Sequence, residues 1–311
     1  MLRPIIRGVV LATILPAVVL AGCGDDDSGD SASAGRVTVV ANFFPIAEAA
    51  EKVGGDAVKV TNLTPAGTEP HDLELTPDQV GEIEDADVVF YMGQGFQPAV
   101  ADIALRRDST SIDLADSVPL EPGASDAIQA EGGDTGDVDP HFWLDPQLMA
   151  KAVDQIEATL SDASPDDAAT FSANAQAYKE ELGRLDQDFA IGLASCQRDE
   201  IVTSHAAFFY LAKRYGLTQL PITGVSPEAE PDPDRLAELA DQVQADGITT
   251  IFFEELLPAD AAETLARETH AEAAVLSPIE GLTEDELNAG GDYLSVMRDN
   301  LVALREALDC S

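Results

Sequence analysis

From Arg36 onward, short apolar runs alternate with helical stretches, and the alternation occurs twice with one very long helical stretch between the two series. No other feature narrows the fold as far. Strands of four to six residues separated by helices pair in parallel, and a parallel sheet needs both faces covered. The first series reads as strand over 36–41 (RVTVVA), helix over 45–53, strand over 58–63, helix over 78–84, strand over 88–92 (VVFYM) and helix over 97–106. A helix follows over 147–160. Ser164-Pro165-Asp166-Asp167 then signals another start, with proline at the first helical position and acids in the first turn. That helix is expected over 164–193, about 40 Å long at ~1.5 Å per residue. It exceeds the need of one sheet layer and reads as a spine. The second series runs strand 200–203, helix 207–215, a short strand after 216–220, helix 233–245, strand 248–253 (ITTIFF), helix 259–269, strand 273–276 and helix 292–308. The expected fold is α/β: two lobes, 36–163 and 194–311, each a mostly parallel sheet flanked by helices, joined by the linking helix 164–193. No repeat is visible between the two series in the sequence itself.

The first 35 residues stand outside that pattern. Arg3 and Arg7 precede an apolar stretch over 9–20, and the segment ends Leu20-Ala21-Gly22-Cys23. The apolar run is too short for a stable membrane span and Pro16 interrupts it, so 1–22 reads as an export signal. Leu-Ala-Gly-Cys resembles the bacterial lipoprotein box, which implies that Cys23 becomes the acylated first residue. A diacylated cysteine supplies the two chains that lasting anchorage needs. Residues 23–35 are Asp, Ser, Gly and Ala after the cysteine, with no large apolar side chain, and read as a flexible tether. The protein is therefore expected outside the cytoplasm, anchored to the cell membrane by lipid. In that oxidising location the two remaining cysteines, Cys196 and Cys310, are expected to form a disulfide.

Charge excludes one class of partner. The chain carries 17 basic and 58 acidic side chains, net −41, whereas nucleic-acid binding rests on neutralising phosphates with Lys and Arg. The acidic stretch 119–138 reads as an exposed loop leading straight into Asp139-Pro140-His141.

Against so many carboxylates, four histidines carry more information, since histidine is the commonest metal ligand. His71 follows the strand ending at 63 and His205 follows the strand ending at 203, which is where parallel sheets place their ligands. His141 begins the segment leading to the spine. Together these three would meet in the cleft between two sheets, and Asp292 at the start of the last helix would complete a His₃Asp set. The same Asp292 also serves as an ordinary N-cap with no metal at all. His270 ends a surface helix and reads as structural. Three imidazoles and a carboxylate suit Zn²⁺; Mn²⁺ favours oxygen-richer sets, and affinity order alone would also admit Cu²⁺ or Ni²⁺.

Several stretches resemble one known family. They are Gly67-Thr68-Glu69-Pro70-His71-Asp72 with Thr76-Pro77, then Asp139-Pro140-His141-Phe142-Trp143-Leu144-Asp145-Pro146. Thr203-Ser204-His205-Ala206-Ala207-Phe208 with Tyr210, Gly224-Val225-Ser226-Pro227-Glu228 with Glu230-Pro231, and Gly291-Asp292-Tyr293 continue the series. These resemble the metal-binding lipoproteins of bacterial ABC importers for zinc and manganese, the cluster A-I solute-binding proteins. The resemblance spans 36–311 and implies two α/β lobes joined by a long helix, with metal held between them by His71, His141, His205 and Asp292. Histidine at 205 is similar to the zinc-type members. Glu69 is an alternative oxygen ligand in such proteins. The histidine-rich loop of many zinc-type members has no counterpart in 119–138.

The function expected is therefore a monomeric, high-affinity Zn²⁺ receptor that delivers metal to an ABC permease, without enzymatic activity. Alternatives are a manganese receptor or adhesin of the same family, or a zinc hydrolase with Glu69 or Glu254 as general base. No His-Glu-x-x-His helix or nucleophile elbow supports the hydrolase.

Overall fold

The first series folds as the strands β1 (Val37–Ala41), β2 (Val58–Asn62), β3 (Val88–Tyr91) and β4 (Thr110–Asp113). They pair in the order β2-β1-β3-β4, all parallel. All four residues of β3 are buried, the pattern of a strand covered on both faces. The helices α1 (Phe44–Gly54), α2 (Pro77–Asp85) and α3 (Pro98–Ala104) lie between consecutive strands. Thr76 and Gln79 close a reciprocal capping box on α2. This computed structural model describes residues 35–71, 73–121, 138–225, 227 and 230–311. The export signal, Cys23 and the tether up to residue 34 lie outside the described residues, as does 122–137 of the acidic loop.

The second series repeats the arrangement. Here β5 (Glu200–Thr203), β6 (Thr218–Pro221), β7 (Thr250–Phe253) and β8 (Glu272–Val275) pair in the order β6-β5-β7-β8, again all parallel. The repeat that the sequence hides is thus present in the strand order. The helices α6 (Phe209–Tyr215), α7 (Pro233–Asp246), α8 (Asp260–Thr269), α9 (Glu284–Asn288) and α10 (Tyr293–Ala307) belong to this half.

Between the sheets, α4 (Pro146–Ala163) and α5 (Ala168–Gly192) form a helical hairpin. The spine starts later than its sequence signal: Pro165–Asp167 is a turn in which Ser164 Oγ donates to Asp167 Oδ2 at 2.7 Å, and the helix begins at Ala168. Its 25 residues extend about 37 Å at ~1.5 Å each. It packs on α1 at one end of the chain and on α10 at the other. A disulfide joins Cys196, just past α5, to Cys310, just past α10. One continuous core, including Val39, Phe90, Trp143, Phe252 and Leu276, runs through both sheets. Arg36–Ser311 is accordingly one compact unit. Among the described residues no helix is long and apolar enough to cross a membrane.

Candidate metal centre

His141 is fixed from behind by Asp139, whose Oδ1 accepts the backbone N–H at 2.8 Å and the ring Nδ1–H at 2.9 Å. With Nδ1–H given to Asp139, Nε2 is the ring nitrogen left facing inward, and in the neutral ring it carries the lone pair a metal would take. His205, two residues past β5, is held in the same way: its Nδ1–H donates to Glu254 Oε1 at 2.6 Å. Glu254 lies just beyond β7 and also accepts the Ser204 hydroxyl. The carbonyl of His205 accepts from Thr203 Oγ1 at 2.8 Å and Gln219 Nε2 at 2.9 Å, tying it to the end of β5 and to β6. His71 comes from the loop after β2, with the Phe96 ring set edge-on at a centroid distance of 4.4 Å.

A fourth side chain meets them. Glu280 follows β8, in a loop clamped by Asn300 of α10, whose Nδ2 donates to Ser277 O at 2.7 Å and whose Oδ1 accepts from Ser277 N at 2.9 Å. Trp143 Nε1 donates to Pro278 O at 2.7 Å, tying the same loop to the His141 segment. Ile279 is buried with φ 57°, a left-handed conformation that a β-branched residue adopts only under constraint. Gly67 N donates to Leu282 O at 2.9 Å, linking the loops of His71 and Glu280.

The inward atoms converge on one point. The Nε2 atoms of His141, His71 and His205 lie 3.0, 3.4 and 3.5 Å from Glu280 Oε1. Nε2 of His141 and His205 are 3.4 Å apart. Two donors each ~2.1 Å from a tetrahedral zinc ion stand about 3.4 Å apart, close to these four separations, and all four ligand atoms lie within 4.8 Å of one another. The side chains of His141 and His205 are fully buried, and those of Glu280 and His71 are 3% and 8% exposed. Burial alone would raise the Glu280 carboxyl, but the three imidazoles outweigh it and hold it well below the usual carboxylate range. Burial opposes charge on His141 and His205 as well, yet Asp139 and Glu254, aided by Glu280, raise both above the ordinary imidazole value. Protons and a metal therefore compete for the same nitrogens. Surface clefts of about 420 and 430 Å³ lie elsewhere and contain none of these four side chains.

Residues 39–307 match the family model of ZnuA, described as zinc-uptake complex component A, periplasmic. The chain belongs to the ZnuA family. Among curated ZnuA-type relatives, the zinc-binding lipoprotein AdcA of Streptococcus pneumoniae serotype 4 is 38% identical over 96% of this chain. The chain spans only 60% of that relative's length. The high-affinity zinc uptake system protein ZnuA of Bacillus subtilis is 32% identical, with 94% of each chain covered. In solved structures, the Zn(II)-bound ZnuA-like domain of Streptococcus pneumoniae AdcA superposes with a TM-score of 0.75 at 39% identity, covering 88% of this chain and 100% of that one.

Within this site, His71 and His205 at their strand ends come together with His141 at the head of the segment leading to the spine, and Asp292 does not join them. Asp292 Oδ1 accepts from Ser295 N at 2.8 Å as the N-cap of α10, and Oδ2 faces Lys52 Nζ at 3.4 Å. The capping role considered for it accounts for its position. Glu69 is not part of the converging group either; it lines a small cavity beside Glu280. His270 is the left-handed C-cap residue of α8, with φ 61°. Glu280 was legible in principle, since the strand-end rule that finds His71 and His205 also finds a carboxylate after β8. One glutamate among 58 acidic residues gave no signal of its own.

Proposed function

We propose that this chain is an extracytoplasmic zinc receptor that captures Zn²⁺ with His71, His141, His205 and Glu280 and passes it to the permease of an ABC importer. The observation that carries this reading is the convergence of three Nε2 atoms and one carboxylate oxygen, all within 4.8 Å of one another, in a buried site. Three nitrogens and one oxygen favour zinc over manganese. Membership of the ZnuA family supports the import role. Acylation at Cys23 would tether the receptor to the membrane, and it would act as a monomer without turning over a substrate. A hydrolase would need a general base beside the metal. Glu254, a candidate for that role, is instead committed to the His205 Nδ1–H and the Ser204 hydroxyl.

Burial of all four side chains also fits capture and release, because the ion cannot leave until the loops carrying them part. Calorimetry on metal-stripped protein, with Zn²⁺ and Mn²⁺ in competition, is expected to give one tight Zn²⁺ per chain that Mn²⁺ displaces poorly. His205→Ala removes one of the three nitrogens and is expected to weaken zinc binding sharply. Unchanged affinity in that variant would overturn the site assignment.

A further inference from the structure

Asp139 and Glu254 orient His141 and His205 at their rings. For His71, the side chain that acts on the backbone is Gln97. It stands immediately before α3, in the turn Gly93-Gln94-Gly95-Phe96-Gln97-Pro98 that follows β3. Gln94 and Gly95 are left-handed (φ 56° and 81°), and Phe96 N donates to Gly93 O at 3.1 Å. This tight reversal turns Phe96 and Gln97 inward, each only 2% exposed. Phe96 is the ring that packs against His71.

The Gln97 amide reaches the histidine's own peptide. Nε2 donates to Pro70 O at 2.8 Å and to Thr64 Oγ1 at 3.0 Å. The Thr64 hydroxyl proton is already given to Asn42 O at 2.7 Å, so Oγ1 can only accept from Gln97. Both partners being acceptors, the nitrogen end of the amide is the one that faces them. Pro70 O belongs to the peptide that begins His71. Proline has a fixed φ and no N–H, so pinning this oxygen fixes the plane from which the His71 side chain departs. A relay thus runs from Asn42, just past β1, through Thr64 and Gln97 to the Pro70–His71 peptide.

We propose that Gln97 is the positioning residue of His71, holding its imidazole at the metal point by pinning the Pro70 carbonyl. This rests on the zinc-receptor reading and adds to it a residue that touches no metal. Side chains that orient a ligand from one step away typically change metal affinity by about ten- to a hundredfold.

The test is a double-mutant cycle on the intact chain, with zinc affinity measured by competition against a chromogenic chelator and folding checked by near-UV circular dichroism. Gln97→Met keeps the volume and removes both donors; it is expected to bind Zn²⁺ about ten- to a hundredfold more weakly. In the His71→Ala background the same change is expected to cost nothing further, because there is no imidazole left to position. Thr64→Val, which removes one of the two acceptors that orient the amide while leaving Gln97 in place, provides a second route if Gln97→Met does not fold. It is expected to weaken binding in the same direction and also not to add to His71→Ala. Unchanged affinity in a folded variant that lacks the Gln97 or Thr64 contact, or penalties that add fully to that of His71→Ala, would overturn the proposal while leaving the zinc reading intact. Unchanged affinity in His71→Ala would overturn both.

Discussion

Position along the chain, more than residue type, decides what each polar side chain does here. Three histidines placed after strands or at the head of a segment turn inward, while His270 only caps a helix. Carboxylates divide in the same way: Asp139 and Glu254 orient imidazoles, Glu280 joins them, and Asp292 caps α10. Glu48 of α1 is a further case. Its Oε2 accepts Tyr293 N at 2.8 Å, and burial raises its carboxyl from 4.5 to about 7 despite that bond. Asp292 and Glu51 push it further up, Lys52 pulls it down, and Tyr178 of α5 packs nearby, itself raised by burial and by Glu48. The folded state therefore holds the Glu48 proton where the unfolded chain releases it. The associated stability is full below about pH 4.5 and is lost as pH rises through about 7. Glu48→Gln stays neutral throughout, so its stability is expected to gain on that of the parent protein between pH 5 and pH 8, by on the order of 3 kcal/mol at most. Thermal melts across that range check this, and a gap independent of pH would contradict it. The histidines were legible in the sequence because they are scarce; Glu280 and Glu48 were not, because their roles depend on burial that an abundant residue type does not reveal.

At the scale of elements, the strands rich in Val, Ile and Phe and the helices with proline or capping residues at their starts stand where the pattern predicts. The misses have physical causes. β4 reads Thr-Ser-Ile-Asp, too polar for an apolar-run criterion, and is recognisable only through its pairing with β3. The helix α9 carries a capping box between Thr283 and Glu286, a local signal present in the sequence but too short-ranged to stand out beside the apolar pattern. The spine begins at Ala168 because Ser164 and Asp167 bond to each other and close a turn first. Its far end is tied down by the Cys196–Cys310 disulfide, which spans a sequence separation of 114 residues. Ser311 N also donates to Ser195 O at 3.0 Å, so Ser311 lies along the same strap. Closing so long a loop chiefly restricts the unfolded chain. Replacing both cysteines by serine is expected to lower stability by about 2–4 kcal/mol, measured by chemical denaturation, with zinc stoichiometry unchanged. Loss of zinc binding in that folded variant would show that the strap shapes the site and does not merely secure the last helix.

For the molecule as a whole, two sheets of identical strand order share one core and place their loops around one buried point. The α/β class and the long connecting helix were legible from periodicity alone. The way in which four separate loops come together was not, because contacts such as Trp143 with Pro278 and Gly67 with Leu282 join residues more than a hundred positions apart. The central claim is that the carboxylate completing the three histidines is Glu280 and not Asp292. Zinc titration calorimetry on Glu280→Gln and Asp292→Asn beside the parent protein tests it most directly. The expected result is one Zn²⁺ per parent chain, a marked fall in affinity for Glu280→Gln, and near-parental affinity for Asp292→Asn. A fall confined to Asp292→Asn, with Glu280→Gln binding as the parent does, would contradict it.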